Sequence, residues 1–277
     1  MLKNILKGAG ADALTYFPVR LVPALTALVT VPVFTRLIST ADYGDFALIN
    51  STVSLIALIA TAWINGSIVR YYWSYEKQSR KDDFISTTVW SLSSTLMLAA
   101  ALALAFGYLF SDVLPGGIVR LLPIGAASLA LNTFMTSSLQ VYRAANKARA
   151  YAVLSIATTI TATGMSIFFV TVPRLGAFGI LLGAVLGNLV LLPFNLRELR
   201  KEGSIAPRHV RRDVVRDFAS YGLPLVPAAI SGWLLILADR YIIGFLQTAE
   251  EVGLYSVAYG LGDKIMQLIV MPLAITM

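Results

Sequence analysis

The chain is built from long apolar runs separated by short clusters of charged and turn-forming residues. About 30 Å of hydrocarbon takes roughly 20 helical residues to cross, so runs of that length predict membrane-spanning helices. Eight are found, over residues 17–38, 46–64, 84–110, 118–142, 151–172, 176–196, 218–245 and 253–275. Ten-residue segments of alternating polarity, the mark of an outer-membrane barrel, are missing. The N-terminal MLKNILKGAGADAL is positive at its start, as a signal peptide is. The apolar stretch after it is too long, carries Arg20 and Arg36, and offers no small-residue cleavage site, so it predicts the first span.

Composition narrows the class further. Of 277 residues, 57% are hydrophobic and 13% charged, and mean hydropathy is +0.74; a soluble domain carries about 25% charged residues. Too little polar surface remains to coat a water-soluble globule. A soluble enzyme, a nucleic-acid-binding domain and a disordered tail are thereby excluded, and the fold class predicted is an all-α polytopic membrane protein. There is no cysteine, and His209 is the sole histidine, which removes thiolate and histidine-clustered metal sites. With no phosphate-binding glycine loop or catalytic triad either, neither an enzyme nor a cofactor is expected.

The net charge of +7 is mainly a topology signal. Lys3 and Lys7, four basic residues over 70–81, three over 143–149 and seven over 197–216 share one side, sixteen in all, against Arg36, Arg120 and Arg174 on the other. That other side carries Asp42, Asp45, Asp112, Glu250 and Glu251 instead. The positive-inside rule places the N-terminus in the cytoplasm, and an even number of spans returns the C-terminus there.

Spans one and seven resemble each other. Leu21-Val22-Pro23-Ala24 recurs as Leu225-Val226-Pro227-Ala228, and Arg36 falls on Arg240 at the same offset. The stretch from Asp42 to Phe46 then corresponds to Glu250–Tyr255 after a five-residue insertion. Both copies start from the same side, so the repeat is parallel. The organisation predicted is a six-helix lobe over 1–196, a basic cytoplasmic linker over 197–217, and the first two helices of a second lobe over 218–277, so that the chain reads as truncated.

Several short motifs carry a family resemblance: Thr35-Arg36-Leu37 with Asp42-Tyr43-Gly44; the turn from Tyr142-Arg143-Ala144 to Ala150-Tyr151; Tyr221-Gly222-Leu223-Pro224 through Ala238-Asp239-Arg240-Tyr241; and Glu251 to Tyr259. This pattern resembles the Wzx-type oligosaccharide flippases of the MOP exporter superfamily, which also holds the MATE drug exporters. The resemblance implies a MATE-like fold in which two six-helix lobes rock about a central cationic cavity. It implies transport of a polyprenyl-pyrophosphate-linked oligosaccharide across the bacterial inner membrane for O-antigen, capsule or exopolysaccharide synthesis. It further implies a polysaccharide polymerase and other glycan-assembly membrane proteins as partners. A MATE-like exporter of small cations, or a short chain inactive as a transporter, are the alternatives.

Ionisable residues inside spans are the candidates for chemistry, since burying them in lipid costs several kcal/mol. Arg20 and Arg36 lie about 10–13 Å from the middle of span one, within reach of the headgroups. Asp239 and Arg240 lie near the outer end of span seven. As sequence neighbours they point about 100° apart on a helix, which predicts that they do not pair with each other. Asp263 and Lys264 come closest to a span centre, where an ammonium needs a carboxylate, a phosphate or water. Arg20, Arg36, Arg240 and Lys264 are therefore the predicted ligands of an anionic headgroup. Asp239 and Asp263 are predicted to orient them or couple an ion.

Gly179, Gly183 and Gly187 predict close helix packing along span six. Asn132, Thr133, Ser137 and Ser138 make span four partly polar, for a pathway or for interhelical hydrogen bonds. The segment HVRRDVVRDF, with Val210, Val214, Val215 and Phe218 at helical spacing, predicts an amphipathic helix lying on the inner leaflet.

Overall fold

The computed structural model describes the backbone of residues 2–112 and 116–276, and the side chains of residues 18, 21–112, 117–263, 265 and 266. Among these residues every regular element is helical. Eight long helices follow the predicted spans in order: α1 (Leu2–Leu37), α2 (Thr40–Lys77), α3 (Lys81–Leu109), α4 (Gly116–Ala144), α5 (Ala148–Thr171), α6 (Gly176–Glu202), α8 (Val226–Leu246) and α9 (Ala249–Thr276). A short α7 (Arg212–Gly222) precedes α8. Six described stretches are long and apolar enough to cross a membrane: α2 to α6, and the run Arg212–Leu246 that holds α7 and α8.

Helix limits follow local chemistry. Ser39 caps α2, its hydroxyl accepting the Asp42 N–H at 3.1 Å, with Asp42 in the first turn where the helix dipole favours an acid. At 38 residues, α2 is about 57 Å long at 1.5 Å per residue. It therefore overshoots the hydrocarbon, and its C-terminal turns form part of the basic end of the molecule. The span predicted over 218–245 is interrupted: α7 closes into a single 3₁₀ turn, Leu223–Leu225, before α8 begins. Pro224 and Pro227 lie at this join and lack the N–H groups needed to carry one helix into the next.

Packing bears out the glycine stripe. A side-chain carbon on Gly183 would strike the Ser166 backbone, and one on Gly187 the Ala162 backbone, so α6 and α5 meet with almost no side chain between them. The polar face of α4 is used for interhelical bonds. Asn188 on α6 donates to Asn132 Oδ1 at 2.8 Å, and Asn195 donates to Ser138 Oγ at 2.7 Å. Tyr142 donates in turn to Asn195 Oδ1 at 2.8 Å.

α7 corrects one expectation. Its apolar face, Val214 and Phe218, is fully buried, but against protein rather than lipid. Phe218 meets Phe84 edge-on at 5.4 Å between ring centres, within a cluster that includes Tyr72 and Tyr75. Tyr75 donates to Asp217 at 2.5 Å, and Arg80 forms an ion pair with Asp213 at 2.6 Å. That hydrogen bond raises the Arg80 pKa above its ordinary value, so the loop cation stays charged. An aromatic socket with partners for both carboxylates binds this helix more fully than a headgroup region does.

Candidate functional site

At the basic end, four elements converge on one carboxylate. The Glu202 side chain has no solvent exposure, and Lys81 lies 3.2 Å from it with Lys147 also in ion-pair contact. Tyr72 donates to the same carboxylate at 2.8 Å. Lys81 also pairs with Glu76 at 3.1 Å, so two cations meet two carboxylates and the cluster acts as a clamp on α2 to α6. The protein itself thus compensates this buried carboxylate with two cations and a hydroxyl.

The acidic end is different. Gly44, one turn into α2, and Gly253, one turn into α9, are both buried and in contact. A side-chain carbon on Gly44 would strike the Ala249 carbonyl oxygen, and one on Gly253 would strike the Thr40 carbonyl oxygen. Thr40 and Ala249, like Gly44 and Gly253, are 209 residues apart, the repeat offset beyond the insertion. Reciprocal contact of this kind, i on j and j on i, is the signature of a two-fold relation. The repeat expected from the sequence would place such a reciprocal contact between α2 and α9.

Two of the six predicted site residues come together, on α8. The Arg240 guanidinium, in a side chain only 9% exposed, lies 3.3 Å from Asp239 Oδ1. It also donates to the Ile236 carbonyl at 3.1 Å and stands 5.1 Å over the Tyr259 ring. Tyr255 donates its hydroxyl hydrogen to the other Asp239 oxygen. This corrects the expectation that sequence neighbours cannot pair: the long arginine stem folds back along the helix, and its head group meets the aspartate beside it. Arg36, at the last turn of α1, is exposed and meets no carboxylate among the described residues. Asp263 is exposed and has a partner of its own. The side chains of Arg20 and Lys264 lie outside the described residues.

Sequence reasoning passed over Tyr255, Tyr259 and the bonds joining α8 to α2. Tyr241 and Thr52 share a hydrogen bond at 2.7 Å, and the Trp233 indole donates to Ser54 Oγ at 2.8 Å. The one available signal was Tyr255 and Tyr259 at i, i+4 on one helix face.

Between α2, α3, α4 and α8 runs a groove of about 1350 Å³. Its walls are almost wholly apolar, from Leu48 to Trp63 on α2 and from Thr95 on α3 to Phe110 just past its end. None of Arg36, Asp239, Arg240 or Asp263 lines it.

Residues 9–276 match the model of a family described as polysaccharide biosynthesis protein. The chain belongs to that family. No curated protein matches it. Among solved structures, one named protein A superposes with a TM-score of 0.68 at 16% identity, over 98% of this chain and 62% of its own. An outward-facing multidrug resistance MATE family transporter of the MOP superfamily gives 0.62 at 16%, over 97% and 69%. A MOP superfamily transporter from Pyrococcus furiosus gives 0.61 at 16%, over 94% and 67%. This family member therefore has the MOP fold, as the resemblance to Wzx-type flippases implied. It is a multi-pass membrane protein and spans about three fifths to two thirds of the length of these neighbours.

Proposed function

We propose that this member of the polysaccharide biosynthesis protein family moves a polyprenyl-pyrophosphate-linked oligosaccharide across the bacterial inner membrane by alternating access. The N-terminus and the basic end face the cytoplasm in this reading. The lobes are residues 1–196 and 218 onward, joined by the docked linker 197–217. Arg36 carries the proposal most directly: it is a cation at the last turn of an apolar helix, exposed, with no carboxylate partner among the described residues. A cation left unpaired near lipid is costly unless an anion visits it, and a pyrophosphate is such an anion. Arg20 and Lys264 extend that basic path; Arg240, the fourth cation expected there, is already paired with Asp239 and braces the second wall; and Asp239 and Asp263 hold cations in place or couple an ion. The coupling partners proposed are the polymerase and other glycan-assembly membrane proteins.

The test is mass spectrometry of polyprenyl-linked lipids in cells with and without the gene. Build-up of an oligosaccharide on its lipid carrier in the deletion strain, cleared by restoring the gene, is the result expected. No build-up overturns the reading.

A further inference from the structure

The groove between α2, α3, α4 and α8 has no part in the headgroup chemistry above, yet at about 1350 Å³ it is large enough to hold a ligand. Its α2 wall consists of Ile49, Thr52, Val53, Ile56, Ala60 and Trp63 among others, positions that repeat every three to four residues along one helix face. Apart from the Thr95 hydroxyl, its side-chain polar groups are already bonded within the protein. Thr52 and Tyr241 bond each other, and the Trp63 indole donates to the Ala60 carbonyl at 2.9 Å. Trp63 thus presents its ring to the groove, and the occupant best matched to these walls is a hydrocarbon chain.

Length selects which chain. From Leu48 to Trp63 the α2 wall rises fifteen residues, about 22 Å at 1.5 Å each. One leaflet contributes only about 15 Å, half of the 30 Å hydrocarbon layer. A single phospholipid chain leaves part of the groove to a second lipid from the opposite leaflet, whereas a polyprenyl chain fills it alone.

Charge marks the end at which the head group sits. Continuing the same α2 face two turns beyond Trp63 leads to Arg70, an exposed residue at the basic end. Its guanidinium lies 6.0 Å over the Tyr221 ring, and no carboxylate pairs with it among the described residues. Leu223 and Val226 form the adjoining lip of the groove.

We propose that this groove seats the chain of a polyprenyl phosphate carrier, with Arg70 holding its phosphate at the cytoplasmic mouth. The inference rests on the lipid-linked reading of the substrate, and adds a lateral waiting site for the carrier, separate from the charged residues of α1, α8 and α9. Before translocation, the carrier docks by its tail here.

The test is photocrosslinking with the full chain in vesicles containing a radiolabelled C55 polyprenyl phosphate. p-Benzoylphenylalanine is placed in turn at Leu102 on the groove wall, at Leu235 on α8, which is 86% exposed and outside the groove lining, and at Thr35 beside Arg36. Capture at Leu102, little at Leu235, and no displacement by excess phosphatidylglycerol are expected. Arg70→Gln lowers capture about fivefold, the equivalent of roughly 1 kcal/mol for one headgroup cation, and Arg70→Lys restores it. Ala103→Trp, which fills the groove, abolishes capture at Leu102 in protein whose thermal unfolding is unchanged.

Equal capture at Leu102 and Leu235, displacement by phosphatidylglycerol, or crosslinking of Leu102 to a second polypeptide each overturns the proposal. Capture at Thr35 without capture at Leu102 overturns the groove while sparing the lipid-linked reading. Capture at none of the three overturns both.

Discussion

Arg36 and Arg240 occupy equivalent places in the two copies of the repeat, yet their surroundings are opposite. Arg240 is buried and spoken for by Asp239, the Ile236 carbonyl and the Tyr259 ring. Arg36 is exposed and unpaired among the described residues. The cause is visible one residue earlier. Where the second copy has Asp239, the first has Thr35, whose hydroxyl is turned back onto the Val31 and Pro32 carbonyls at 3.0 and 3.3 Å. Where the second copy has Tyr255, which fixes Asp239, the first has Phe46, which has no hydroxyl. Two differences between the copies make one arginine of the pair a structural strut and leave the other without a carboxylate among the described residues. Sequence repetition therefore conserves position without conserving role.

This contrast is open to direct attack. Arg36→Gln is expected to have the largest effect, lowering clearance of the lipid-linked oligosaccharide about tenfold or more, on the scale of one charge-assisted anion contact. Its thermal stability should match the parent protein. If transport survives that change, Arg36 is no ligand and the contrast loses its functional half.

Arg240→Gln should show the reverse pattern. It strands Asp239 at a partly buried position and is expected to lower stability by about 1–3 kcal/mol, read as an earlier unfolding transition. A transport loss without any stability loss would move Arg240 into the same class as Arg36.

Gly253→Val tests the reciprocal contact on which the comparison depends. Because a side chain there strikes the Thr40 carbonyl, α2 and α9 should separate at the acidic end. A cysteine pair at Thr40 and Ala249 should crosslink in the parent protein and fail to do so with Gly253→Val. Equal crosslinking in both would show that the close contact is dispensable.

Thr35→Asp sharpens the contrast with a milder change. It gives Arg36 the neighbour that Arg240 has, and should weaken transport by about fivefold or less through partial neutralisation. Tyr255→Phe is the smallest, removing one hydrogen bond to Asp239 for about 1 kcal/mol; differential scanning calorimetry in detergent measures it. An unchanged transition would mean that Tyr255 does not hold the aspartate.

Much of the fold was legible in the chain because lipid imposes a length. A backbone that crosses hydrocarbon must satisfy its own hydrogen bonds, so a run of about 20 apolar residues leaves helix as the solution. The glycine stripe of α6 was legible for a similar reason: spacing alone puts Gly179, Gly183 and Gly187 on one face. The docking of α7 was not. Val214 and Phe218 announce an amphipathic helix, but period alone leaves open whether lipid or the Phe84 cluster covers it. The Asp239–Arg240 pair escaped because the spacing argument concerns Cβ directions, and a side chain as long as arginine reaches round them.

By itself, then, the sequence determined the helical class, the order of the long apolar helices and the uneven spread of charge among the loops. All of these follow from local composition and period, which the bilayer converts directly into structure. Only the tertiary structure decided which charges are spent on the protein and which remain for a ligand. Glu202 with Lys81 and Lys147, and Asp239 with Arg240 and Tyr255, are settled by neighbours from other helices. A cation is available only if no carboxylate reaches it, and reach is a property of packed helices in three dimensions.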